Sequence, residues 1–162
     1  MSASFERTIV LGLGSGLYSD GEVAVRATEH LRNDPRLPED IVVLYRPALG
    51  LEVLPELWDC GRLLILTAVD AGAPPGTLVQ LRGEQLRALE RNANRRQLGI
   101  ASLYEALQLL ASKPPHVILF GVQAQCSRES MLSSVVDRAI PTLIENVIAE
   151  LKPKSYRATP PS

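Results

Sequence analysis

The sequence predicts an α/β domain in three layers: a mainly parallel, twisted sheet of about five strands with helices on both faces. Three observations carry that prediction. Short apolar, β-rich runs alternate with stretches of helical periodicity along the chain. Gly, Pro, Asn and Asp punctuate the junctions between them. The run from Leu63 to Val69 is apolar at every position but Thr67, and such a run belongs at the centre of a parallel sheet, covered on both sides.

The elements follow in order. Thr8 to Leu11 reads as a buried strand, and Gly12 to Gly21 as the loop after it. A helix is expected next, with Val23, Ala27 and Leu31 on one face, stopped by Asn33-Asp34-Pro35. Ile41 to Tyr45 is the second strand. Gly50 to Trp58 reads as a short helix in which Pro55 belongs to the first turn or makes a kink. Leu63 to Val69 follows as the central strand, and residues 70 to 76, rich in Gly and Pro, as a turn. Thr77 to Leu81 alternates like an edge strand. Glu84 to Asn94 is polar, a short helix anchored by Leu86 and Leu89. Gln97 to Ser112 is amphipathic through Ile100, Leu103, Leu107 and Leu110. Val117 to Val122 is the last buried strand, and Gln123 to Met131 a polar loop. The final helix carries Val136, Ile140, Ile144, Val147, Ile148 and Leu151, with Pro141 as a kink or the true start.

Composition bounds the function. With 162 residues, 46% hydrophobic and 22% charged, the chain suits one domain, expected over residues 1–151. Residues 152–162, with Pro153, Pro160 and Pro161, are expected to be a disordered tail. The net charge of −1 and the scattered basic residues argue against a nucleic-acid partner. No apolar run is long enough for membrane insertion and the first residues lack a leader pattern, so the expected compartment is cytoplasmic. Cys60 and Cys126 make neither a disulfide framework nor a CxxC pair. In such a sheet, ligands are expected beyond the carboxyl ends of the strands.

One candidate there is a nucleotide-binding, Rossmann-like loop at Gly12-Leu13-Gly14-Ser15-Gly16, between a strand and a helix. The glycine spacing is incomplete: Leu17 or Ser19 stands where GxGxxG needs its last glycine. The second strand ends in Tyr45-Arg46 rather than an acid for a ribose. A tight turn that needs small residues accounts for the same pattern.

A second reading comes from whole segments. The stretch from Val10 to Arg26, VLGLGSGLYSDGEVAVR, resembles the opening of the hydrogenase maturation endopeptidases, VLGxGNxLxxDDGxGVR. Residues 48–54 resemble their TxGxxLL, residues 66–77 their VDAVDAGxPPGT, residues 96–101 their HQLGLAD, and residues 120–123 their VGVQ. The likeness runs in order from about residue 7 to 151. It implies a twisted sheet between helices and a partner, the immature [NiFe]-hydrogenase large subunit, whose C-terminal peptide the family removes. The family senses nickel in that substrate through a helix-start acid, a strand-end aspartate and the histidine of HQLG. That mixed set suits a borderline divalent metal.

Carried over residue by residue, those positions fall on Gly21, Thr67 and Arg96. Glycine offers no side-chain ligand, threonine a neutral hydroxyl, and arginine a permanent cation. The family's acid after the second strand is also absent, since Tyr45-Arg46-Pro47-Ala48 stands there. The resemblance therefore implies a pocket lined by Asp20, Glu22, Thr67, Asp70, Arg96 and Gln97 that binds substrate and holds no stable metal or other cofactor. Arg96 in that pocket favours an anion such as a carboxylate, or an internal ion pair. The expected function is a maturation protease-like protein that no longer cleaves, acting as a binding protein, chaperone or accessory subunit for a hydrogenase-type large subunit. The alternative is an active endopeptidase that recruits Asp20 or Glu22 with Asp70. Against that, a one-residue shift turns a helical side chain by roughly 100°. Ser19 and Glu22 also have capping-box spacing, and Asp70 sits where an Asx turn is common. His30 and His116 lie away from the expected site, and Cys126 is a lone thiol without a recognisable histidine partner.

Overall fold

The computed structural model describes residues 7–14, 22–47, 51–57, 59–88, 95–125 and 134–152, with backbone alone at 51 and 95–98. The strands are β1 (Arg7–Leu13), β2 (Val42–Arg46), β3 (Cys60–Val69), β4 (Leu78–Arg82) and β5 (His116–Gln123). The α-helices are α1 (Glu22–Arg32), α2 (Leu54–Leu57), α3 (Arg95–Leu110), α4 (Ser134–Asp137) and α5 (Ile140–Leu151), with 3-10 turns at Leu51–Val53 and Gly83–Arg87.

The five strands form one sheet in the order β2-β1-β3-β5-β4, parallel throughout except for β4. The expected fold class is the one observed, with β3 at the centre. Its alternate side chains feed two cores. Leu63, Ile65 and Val69 pack under α2 and α3 with Leu57, Ile100, Leu103 and Leu107. Leu64, Leu66 and Ala68 pack on the other face beneath α1 and α5 with Val23, Ala27, Leu31, Ile144 and Ile148. A strand covered on both faces has no use for polar alternation, which explains an apolar run broken only at Thr67. Among the described residues no helix is long and apolar enough to cross a membrane.

Several boundaries differ from the sequence reading. β1 continues through Gly12 and Leu13, which the loop assignment had claimed, because both pair with β2. Pro55 sits in the first turn of α2, where its missing N–H costs nothing. Pro141 marks the true start of the last long helix, and Val136 belongs to the separate turn α4. Leu110 is a correction: it is 59% exposed rather than core. The buried stripe of α3 runs through Ile100, Tyr104, Leu107 and Ala111. At 100° per residue Leu110 lies only roughly 20° from the buried Leu103, so its exposure follows from its place as the last residue of α3 rather than from its face. Leu89, Ser19 and, of the expected tail 152–162, all residues after Lys152 lie outside the described residues.

The turn after α1 is tied to α5 by charge. Arg36 spans Asp34 and Glu145, at 2.8 Å from an oxygen of each. Hydrogen bonds from the Arg36 guanidinium, and then from its backbone amide, hold the Asp34 carboxyl down to about 2. A carboxyl whose folded-state pKa is depressed stabilises the fold above its unfolded value, near 3.9, and loses that contribution as pH falls towards the folded value. Urea midpoints of wild type and Asp34→Asn should therefore differ at pH 6, converge as pH drops below about 4, and meet near pH 2. A gap independent of pH would assign the effect to something other than this ion pair.

Candidate functional site

The chain leaves β1 towards β2 on one side of the sheet and returns from β2 to β3 on the other. The crevice at the carboxyl ends of β1 and β3 is thus the topological switch point of the fold, where open α/β sheets place ligands. Thr67 stands at that point. Its neighbour Leu66 pairs with Gly12, so Thr67 faces the last residue of β1. Its side chain is 7% exposed and its hydroxyl donates to the Leu13 carbonyl at 2.8 Å. A buried hydroxyl with a good acceptor is satisfied. Here it cross-links the two strands at the mouth of the crevice.

Beyond Thr67 the chain turns through Asp70, Ala71, Gly72 and Ala73. That loop is organised by Gln123, the last residue of β5, which is 4% exposed. Its Oε1 accepts from the amides of Ala71, at 2.7 Å, and Ala73, at 3.3 Å. Its Nε2 donates to Asp70 Oδ1 at 3.3 Å and to the Ala124 carbonyl at 3.1 Å. Backbone bonds extend the seam: Gly76 donates to the Gln123 carbonyl, and the Gln123 amide to the Thr77 carbonyl. Gly76 adopts φ +88°, and a Cβ there would press within 3.0 Å of Val135, so the turn closing the loop requires glycine. Asp70 is thereby held beside the crevice, half-buried, its carboxylate oriented by the Gln123 side-chain amide. Sequence reasoning had assigned Gln123 to a polar loop. The signal that could have found it was an amide directly ending an apolar strand.

The glycine-rich turn is built for packing. A Cβ on Gly12 would lie 2.5 Å from the Thr28 methyl and 3.2 Å from the Ala24 carbonyl, so Gly12 lets α1 press against β1. The Gly14 amide is bonded to the Arg46 carbonyl and extends the β1–β2 ladder, so it does not point at a phosphate. Arg46, the candidate for a 2′-phosphate, is instead paired with Glu56 at 2.6 Å. These commitments take the Gly14 amide and the Arg46 guanidinium away from the nucleotide reading.

The other predicted residues are placed as follows. Glu22 opens α1, is exposed, and makes a loose 3.8 Å pair with Arg26 one turn on. Arg96 and Gln97 lie in the first turn of α3, their side chains outside the described residues, as are Asp20 and Gly21. The expected gathering of Thr67, Arg96 and Gly21 is therefore described at Thr67 alone. His30 is exposed on α1, and His116 is exposed at the opposite, amino end of β5. Cys60 is buried, donates to the Leu57 carbonyl, and has its thiol pushed up to about 11 by burial, which leaves it a poor nucleophile. Cys126 lies outside the described residues.

Comparison with known proteins matches residues 25–150 to a family model described as hydrogenase maturation protease. The chain is 31% identical to the hydrogenase 2 maturation protease of Escherichia coli, covering 95% of this chain and 96% of that protein. It is 32% identical over 120 residues to the hydrogenase expression/formation protein HupD of Rhodobacter capsulatus, covering 73% of this chain and 57% of that protein. The structure of the hydrogenase maturating endopeptidase HybD from E. coli superposes with a TM-score of 0.78 at 32% identity, covering 90% of this chain and 91% of that one.

Proposed function

Since this chain belongs to the hydrogenase maturation protease family, we propose that it binds the C-terminal region of a [NiFe]-hydrogenase-type large subunit in the cytoplasm without cleaving it, as a chaperone or accessory protein. The observation that carries this reading is Thr67. At the position where the family resemblance expects a metal-reading aspartate, a neutral hydroxyl is spent on the Leu13 carbonyl. Gly21 and Arg96 at the companion positions supply no ligand either. On this reading the crevice takes a polar peptide, with Asp20, Glu22, Asp70 and Gln97 contributing by family position, and it holds no cofactor of its own.

A second reading keeps the protease active. It is favoured by Asp70, a carboxylate held at the same end of the sheet, three residues beyond Thr67. On that reading the nickel-loaded substrate supplies most of the coordination and Asp70 the rest.

One experiment separates the two. The purified chain is mixed with a nickel-loaded large-subunit precursor, and both complex formation and precursor mass are followed. The proposed function requires a complex with the precursor mass unchanged. Loss of the C-terminal peptide, abolished by Asp70→Ala, would establish the protease instead. Titration calorimetry with nickel alone should show no stoichiometric site of micromolar affinity, which would correspond to roughly −8 kcal/mol. The triple variant Gly21→Glu, Thr67→Asp, Arg96→His should gain such a site if the three positions share one crevice.

A further inference from the structure

Because the edge strand β4 runs antiparallel to β5, its last residue, Arg82, pairs with Ile118 near the start of β5, while on the other side of β5 Arg62 of β3 pairs with His116. That arrangement gathers charge at the amino end of the sheet, away from the crevice described above. Arg62 from β3, Arg82 from β4 and His116 from β5 line an open cleft of about 540 Å³. Glu150, near the end of α5, lies between the two guanidiniums, 2.8 Å from Arg82 and 3.7 Å from Arg62.

The two arginines do different work. Arg62 is part of the scaffold: Nη1 donates to the Glu150 carbonyl and so caps the end of α5, while Nε reaches the Thr8 hydroxyl. Glu150 is 10% exposed on its side chain and already neutralised by that partner. Arg82 adds a second full positive charge to the same carboxylate. Its side chain remains 52% exposed. Of a guanidinium's five donors, one on Arg82 is bonded to a side chain among the described residues, Nη2 to Glu150. Among the described residues, the cleft wall thus holds two permanent cations and an exposed imidazole against one carboxylate. The exposed Pro114 gives it an apolar side. Its volume is in the range of sites that enclose a ligand.

We propose that this cleft is a docking site for an acidic peptide segment of a partner protein, with a carboxylate on Arg82 and His116 and the peptide chain lying along Pro114. The reason is charge complementarity. A carboxylate can take the Arg82 donors that no described side chain uses, and Pro114 gives the backbone of a peptide a surface that a small free anion would leave bare. The inference goes beyond the proposed function and does not depend on the chemistry of the crevice.

The test is fluorescence anisotropy with a labelled hexaglutamate peptide on the full chain, with hexaglutamine and inorganic phosphate as competitors. Binding should weaken with added salt. It should fall at least tenfold in Arg82→Glu and several-fold in His116→Ala at pH 6, and resist hexaglutamine. Arg82→Gln serves as a second variant should charge reversal disturb Glu150, with circular dichroism confirming the fold. Equal binding by hexaglutamine, no response to either Arg82 change, or displacement by phosphate at matched concentration would each overturn the proposal. The triple crevice variant should leave hexaglutamate binding unchanged, so failure of the proposed function and failure of this one are separately readable.

Discussion

Gln123→Leu is expected to lower stability by about 2–3 kcal/mol and to loosen one loop selectively. Leucine fills a similar volume but removes an acceptor used by two backbone amides, Ala71 and Ala73, and a donor used by Asp70 and the Ala124 carbonyl. A buried donor left without a partner costs about 1–3 kcal/mol. Two such donors set the upper range, and water reaching the exposed loop residues lowers it. The backbone bonds between Gly76, Thr77 and Gln123 survive the change. Hydrogen exchange should therefore accelerate at Ala71 and Ala73 while Gly76 and Gln123 stay protected. Uniform acceleration across the sheet would mean that Gln123 supports the whole domain and not the loop. Because the same side chain orients Asp70, the variant also bears on the alternative protease reading: an activity that depends on Asp70 should fall with it.

Gly12→Ala should cost about 2–3 kcal/mol, at the upper end of what overpacking a core usually costs. The added Cβ meets the Thr28 methyl at 2.5 Å, a separation real side chains do not adopt, and Thr28 is short and anchored. Its hydroxyl donates to the Ala24 carbonyl at 2.8 Å, so it cannot turn away without leaving that bond. Thr28→Ser removes the methyl and keeps the hydroxyl. In the double variant Gly12→Ala, Thr28→Ser about half of the loss should return, the remainder reflecting the 3.2 Å approach to the Ala24 carbonyl. A thermal or urea double-mutant cycle measures the coupling. If the two changes simply add, α1 does not press on Gly12 as described. The same result would reopen the nucleotide reading, in which this glycine faces a ligand.

These two residues show how much of the site was legible beforehand. Gly12 was visible as a small residue in a strand-to-helix turn, and the packing reason for it was already the ordinary explanation. Thr67 was visible as the one polar interruption of the central run. Its family position pointed to the crevice, and the switch point of the sheet is where the structure puts it. Gln123 was not visible as a functional residue. Its importance comes from the pairing of β3 with β5, which brings the end of one strand under the loop that follows another. Arg82 escaped for a similar reason: nothing local says that an edge strand will run backwards and deliver its last residue to the amino end of β5.

The sequence by itself determined what local chemistry controls: the alternation of strands and helices, the central place of residues 63–69, the edge character of β4, and family membership through ordered motifs. It also determined which side chains stand at the three family positions, since that depends on identity alone. Tertiary structure decided what those side chains are bonded to. Hydrogen-bond partners such as Leu13 for Thr67 and the Ala71 and Ala73 amides for Gln123 are far away in the chain. They meet only because the strand order and the register set them side by side. It likewise left Leu110 exposed: periodicity puts it on the face of the buried Leu103, but it is the last residue of α3 and no other segment covers it to the same degree. Periodicity along one segment says which residues share a face. Which neighbours that face meets, and where a polar atom finds its partner, depends on contacts between segments that no local pattern encodes.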